Sequence, residues 1–135
     1  VTRILVIDDE TFVREALQRV LAGGGVDVTA VADAAAGAAA LRGAAFDLII
    51  IEAVLPGMDG VAAIKQFRHD YPVMPIIAIT GGGKVGLEAY RPEAILTSAY
   101  LAACTAAGAN GVLAKPFETA ELRSMIGQLL DGKRA

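Results

Sequence analysis

The sequence predicts an α/β domain built on a doubly wound parallel sheet. Two observations carry that expectation. Short apolar segments occur five times, four of them unbroken, and they alternate with stretches in which apolar residues recur every three or four positions. The runs are also too continuous for strands with one wet face, as expected when helices cover both sides of a sheet. Strands and helices alternating in this way call for crossovers that lay parallel strands side by side.

In chain order, the first run is Ile4-Leu5-Val6-Ile7, which ends abruptly in Asp8-Asp9-Glu10. Thr11 is expected to cap a helix whose apolar positions are Phe12, Ala16, Leu17, Val20 and Leu21, stopped by Gly23-Gly24-Gly25. Residues 26–31 read as the second strand, and Asp33 caps an alanine-rich helix running to about Arg42. Residues 48–51 form the third run, again ending at an acid, Glu52. Pro56-Gly57-Met58-Asp59-Gly60 is turn chemistry ahead of a helix carrying Val61, Ala62, Ile64 and Phe67. Pro75 introduces the fourth strand, residues 76–79, ending at Thr80. After a glycine-rich stretch a helix starts near Pro92 and stops at Gly108. Val112-Leu113 is a short fifth strand followed by Lys115-Pro116-Phe117, and Thr119 is expected to cap a last amphipathic helix through Leu122, Met125, Ile126, Leu129 and Leu130.

The 135 residues suit one domain, and a hydrophobic content of 55% supports a core, although much of it is alanine. Twelve basic and fifteen acidic residues leave a net charge of -3, with no basic run, so nucleic-acid binding by this domain is not expected. No apolar run is long enough to span a bilayer and no signal peptide opens the chain, so a soluble cytoplasmic protein without membrane contact is expected. Cys104 is the sole cysteine and reads as a small core residue of an alanine-rich helix, not a reactive thiol. His69, the sole histidine, sits in Arg68-His69-Asp70 near a helix end and reads as a solvated C-terminal cation.

In open α/β sheets the functional crevice lies beyond the carboxyl ends of the strands. Those ends carry Asp8 and Asp9, Glu52, Thr80 and Lys115. Neighbouring acids repel one another unless a cation joins them, and carboxylate oxygens suit a hard cation such as Mg²⁺. An ammonium and a hydroxyl opposite them suit the oxygens of a phosphoryl group. The expected chemistry is therefore phosphoryl handling with Mg²⁺.

The motifs RILVIDDE at 3–10, FDLIIIEAVLPGMDG at 46–60, IIAIT at 76–80 and GANGVLAKPF at 108–117 together resemble the receiver domain of two-component response regulators. The resemblance covers nearly the whole chain, 1–135, as a single receiver domain. It implies a flavodoxin-like, five-stranded parallel sheet of order 2-1-3-4-5 with five helices. It also implies a signalling module, not an enzyme, that receives a phosphoryl group from a histidine kinase. Asp8 and Asp9 then look like the Mg²⁺-binding acids, with the acceptor position adding a third metal contact. Thr80 looks like the switch hydroxyl and Lys115 like the phosphoryl-contacting lysine, followed by Pro116, where the family often has a cis peptide bond. A flavodoxin-like cofactor protein of similar topology is rejected, because three acids after the first strand would repel a phosphate.

Three departures from the family follow. The acceptor position holds Glu52 where the family has aspartate. One extra methylene misplaces the carboxylate by ~1 Å, enough to cost ~10²-fold in rate. A pseudo-receiver is expected, with weakened Mg²⁺ binding and close approach of Glu52 to Lys115. Glu52 is then either a built-in partial mimic of the phosphorylated state or the mark of a decayed site, and the alternative to a pseudo-receiver is an active Mg²⁺-dependent phosphoacceptor. Val112 stands where the family usually has a rotating aromatic ring. The chain is also longer than the family allows around 81–93, where Gly81 and the Gly-Gly-Gly-Lys run suggest a flap; the run lacks the full phosphate-loop pattern. The partner is expected to be a histidine kinase or another signalling protein. A homodimer through the fourth-helix face is expected if Leu96 or Tyr100, next to the loop with Tyr90, is exposed.

Overall fold

The structure, a computed structural model, describes residues 1–55, 59–80 and 91–134, without the side chains of 91–97, 133 and 134. Five strands and five helices alternate: β1 Thr2–Ile7, α1 Thr11–Leu21, β2 Val26–Val31, α2 Ala34–Gly43, β3 Leu48–Glu52, α3 Gly60–Asp70, β4 Ile76–Thr80, α4 Arg91–Ala107, β5 Gly111–Ala114 and α5 Thr119–Arg134. The strands form one parallel sheet in the order β2-β1-β3-β4-β5. That is the expected fold and strand order. Residues 56–58 of the expected turn at 56–60 and residues 81–90 of the expected flap around 81–93 lie outside the described residues.

The continuous apolar runs are buried on both faces because successive side chains point to opposite sides. Leu5, Ile7, Ile49, Ile51, Ile76 and Ala78 face α2, α3 and α4 through Leu41, Ile64, Phe67 and Cys104. Their neighbours Ile4, Val6, Leu48, Ile50, Ile77 and Ile79 face α1 and α5 through Leu17, Leu21, Leu122 and Ile126. β3 and β4 are buried along their whole length, so their last residues, Glu52 and Thr80, are held by the core itself.

Two expected helix caps are displaced by one residue. The N-cap of α1 is Glu10, with no side-chain cap; Thr11 is already helical, and its hydroxyl accepts from the Arg14 guanidinium at 3.1 Å. The cause lies upstream, where Asp8 Oδ1 accepts from the Glu10 amide at 2.9 Å and sets the turn one residue early. At α5 the Glu118 carbonyl accepts from the Glu121 and Leu122 amides at 3.0 and 3.2 Å, so Thr119 again lies inside the helix. Asp33 caps as expected, accepting from the Ala36 amide at 2.8 Å. Asp59 does the same for α3 through the Val61 amide at 3.0 Å.

Candidate functional site

Parallel pairing brings the carboxyl ends of β1, β3, β4 and β5 to one edge, and with them every residue expected there. Asp8 and Glu52 have no solvent exposure and Thr80 has 2%. The Lys115 ammonium lies at their centre: Nζ is 2.9 Å from Asp8 Oδ2, 2.8 Å from Glu52 Oε1 and 3.3 Å from Glu10 Oε1. Its backbone is fixed as well, the Lys115 amide donating to the Thr80 carbonyl at 3.1 Å. The Lys115–Pro116 peptide bond is cis. The expected close approach of Glu52 to Lys115 is present.

The second oxygens are also engaged. Glu52 Oε2 accepts from the Val54 amide at 3.0 Å, and Asp8 Oδ1 takes the Glu10 amide. Burial pulls the Lys115 pKa down, but hydrogen bonds and charge from Glu52 and Asp8 outweigh it and hold the group above the ordinary lysine value. Next to the cluster, Asp9 Oδ1 is buried with no hydrogen-bond partner among the described residues. Arg14 reaches back from α1 to the Asp8 carbonyl at 2.8 Å and steadies the turn.

Glu10 stands outside the expected set of site residues. It is the third member of an acidic run, and its carboxylate is partly exposed, so only the position of Lys115 reveals its part. The backbone below Glu52 is equally close-set: a side chain at Gly60 would overlap the carbonyl oxygens of Glu52 and Ala53, and the Gly60 amide donates to Ala53 O at 3.1 Å.

A divalent cation needs several oxygens with free lone pairs around one point. Among the described residues no group of three or more His, Cys, Asp and Glu side chains is arranged to hold a metal ion. Asp8 and Glu52 are drawn to the ammonium instead, and Asp9 supplies a single unpartnered oxygen. As arranged, these residues do not fit the metal.

The remaining singled-out residues lie elsewhere. Cys104 is fully buried, and burial, with smaller contributions from the charges of Asp59 and Glu52, pushes its thiol up to about 11. His69 is 84% exposed and pairs with Asp70 at 3.2 Å. Val112 and Tyr100 are partly buried against the core. Tyr100 therefore does not supply the exposed residue on which the fourth-helix dimer was conditioned, and the side chain of Leu96 lies outside the described residues. No helix among the described residues is long and apolar enough to cross a membrane.

Residues 4–127 match the response regulator receiver domain family. The chain is 34% identical over 123 residues to the transcriptional regulatory protein FixJ of Bradyrhizobium diazoefficiens, covering 91% of this chain and 54% of that protein. It is 31% identical over 123 residues to the DNA-binding transcriptional regulator NtrC of Escherichia coli K12, covering 91% of this chain but only 24% of that protein. Among solved structures, a putative response regulator from Chloroflexus aurantiacus superposes with a TM-score of 0.79 at 30% identity, covering 96% of this chain and 98% of that one. A receiver domain protein from Methanospirillum hungatei gives a TM-score of 0.80 at 25% identity, covering 99% and 97%.

Proposed function

The chain belongs to the response regulator receiver domain family of two-component signalling, and from that premise we propose that it is a pseudo-receiver: a signalling module that is not phosphorylated in the ordinary way and acts through protein–protein contact. The observation that carries this reading is the buried Glu52–Lys115 pair at 2.8 Å. Glu52 lies at the end of β3 and carries its negative charge one methylene further from the backbone than an acceptor aspartate would, against the lysine. In this reading Asp8, Asp9, Thr80 and Lys115 retain their receiver positions, while the nucleophile is wrong in length. Mg²⁺, which receiver domains typically bind, is held weakly. Partners are a histidine kinase or another signalling protein.

Intact-mass measurement with a small phosphodonor and Mg²⁺ tests the central claim. Wild type stays unmodified, whereas Glu52→Asp gains one phosphoryl group, because shortening the side chain returns its oxygen to the in-line position. A phosphoryl adduct on wild-type Glu52 would refute the reading.

A further inference from the structure

We infer that the Lys115 ammonium is itself the cation of this site, that it keeps a divalent metal out at millimolar concentration, and that it has no donor left for a phosphoryl oxygen. This deepens the pseudo-receiver reading and rests on its assignment of Glu52 as a standing carboxylate.

An ammonium has three N–H donors and no acceptor. Three carboxylate oxygens lie within hydrogen-bonding distance of Lys115 Nζ: Asp8 Oδ2 at 2.9 Å, Glu52 Oε1 at 2.8 Å and Glu10 Oε1 at 3.3 Å. One donor for each acceptor leaves Lys115 no proton to offer an incoming phosphoryl oxygen. On the acceptor side, both oxygens of Asp8 and both of Glu52 receive hydrogen bonds from the protein, two from Lys115 and two from the amides of Glu10 and Val54. Each of these oxygens keeps a second lone pair, so the charge of the ammonium, not a lack of acceptor sites, is what keeps a metal out. A metal ion placed among these acids would sit next to a positive charge in a buried site, where like charges repel strongly. Asp9 Oδ1, buried and without a hydrogen-bond partner among the described residues, is a single further oxygen and not a metal's ligand set.

Two measurements test this. In wild type, the ¹⁵N-labelled Lys115 ammonium is followed by NMR while Mg²⁺ is added. A slowly exchanging signal that does not move through millimolar Mg²⁺ is expected, and a saturable shift or loss of that signal would overturn the inference. In parallel, binding of Mn²⁺ alone is read from the loss of the free-ion EPR signal for wild type and Lys115→Met. The variant should bind at least about tenfold more tightly, since removing the ammonium frees the acids for the metal. Equal affinity in the two proteins overturns the inference. If Lys115→Met does not fold, the wild-type NMR result decides alone. The two readings fail differently: saturable metal binding by wild type without a phosphoryl adduct ends only this inference, whereas an adduct ends the pseudo-receiver reading.

Discussion

Two cations hold opposite edges of the same sheet, and they do so by different chemistry. At the carboxyl edge Lys115 is surrounded by carboxylates, two of them fully buried. At the amino edge Arg68, from the last turn of α3, is surrounded by neutral oxygens. It donates to the Gly108 carbonyl at 3.2 and 2.8 Å, to the Tyr71 and Pro72 carbonyls at 3.1 and 3.0 Å, and to Asn110 Oδ1 at 2.8 Å. Asn110 in turn accepts from the Ile76 amide at 2.8 Å, so this hub ties α3, α4, β4 and the entry to β5 together. The electrostatic consequence is opposite. The acids raise the Lys115 pKa against the pull of burial, whereas burial lowers that of Arg68. Neutral acceptors closing chain turns serve architecture. Buried acids sharing one cation are poor architecture, since losing that cation strands them together, and that dependence marks the edge where function is placed.

The largest expected effect breaks the comparison at its charged end. Lys115→Met leaves Asp8 and Glu52 buried without their cation, which should cost about 3–5 kcal/mol at neutral pH. Denaturant unfolding measures it, and Lys115→Met combined with Glu52→Gln should recover a substantial part. Full additivity of the two substitutions would show that the pair is not coupled. Arg68→Ala should cost less, about 2–3 kcal/mol, because carbonyls at a partly open edge can be met by water. It should leave the response to phosphodonor unchanged. A change in that response would mean the two edges are coupled through the sheet.

Glycines sharpen the contrast on a smaller scale. A methyl group at Gly60 would meet backbone oxygens, which cannot step aside, whereas at Gly111 it would meet the Met125 thioether, the flexible end of a side chain. Gly60→Ala should therefore destabilise by about 1–2 kcal/mol and disturb the seat of Glu52, while Gly111→Ala costs under about 1 kcal/mol. Thermal unfolding of both variants checks the ranking, and equal costs would remove the distinction between a rigid and a yielding edge.

The fold and the charged edge were both legible in the sequence, for linked reasons. Strands buried on two faces show as unbroken apolar runs, and a polar residue that ends such a run must lie at a strand end. Asp8, Glu52, Thr80 and Lys115 are therefore visible from one dimension. Glu10 is not, because an acid starting a helix looks the same whether it faces water or a lysine from the far end of the chain. The Arg68 hub is hidden more deeply. Its acceptors are backbone carbonyls and one asparagine, which have no sequence signature and meet only after α3, α4 and β4 have packed. The caps at Thr11 and Thr119 are displaced for a similar reason: cap propensity is local, while the Asp8–Glu10 turn is set by the end of a strand.

The smallest expected effect concerns pH, and it separates two groups near the charged edge. The Cys104 thiol has a folded pKa of about 11 against an ordinary value of 9.0. A raised pKa means that the folded state holds its proton more tightly than the unfolded one. The resulting contribution to stability is complete below pH 9.0 and is lost as the pH rises toward about 11. Lys115 has the same sign, but its ordinary value is 10.5 and its folded value is higher still, so its contribution begins to fade only above pH 10.5. Among the described groups, stability should therefore decline gently from pH 9.0 and more steeply beyond 10.5. Cys104→Ala should remove the first part of the decline and leave the second, and Arg68→Ala should alter neither. Urea unfolding midpoints across this range give the measurement. A slope below pH 10.5 that survives Cys104→Ala would show that the buried thiol is not its source.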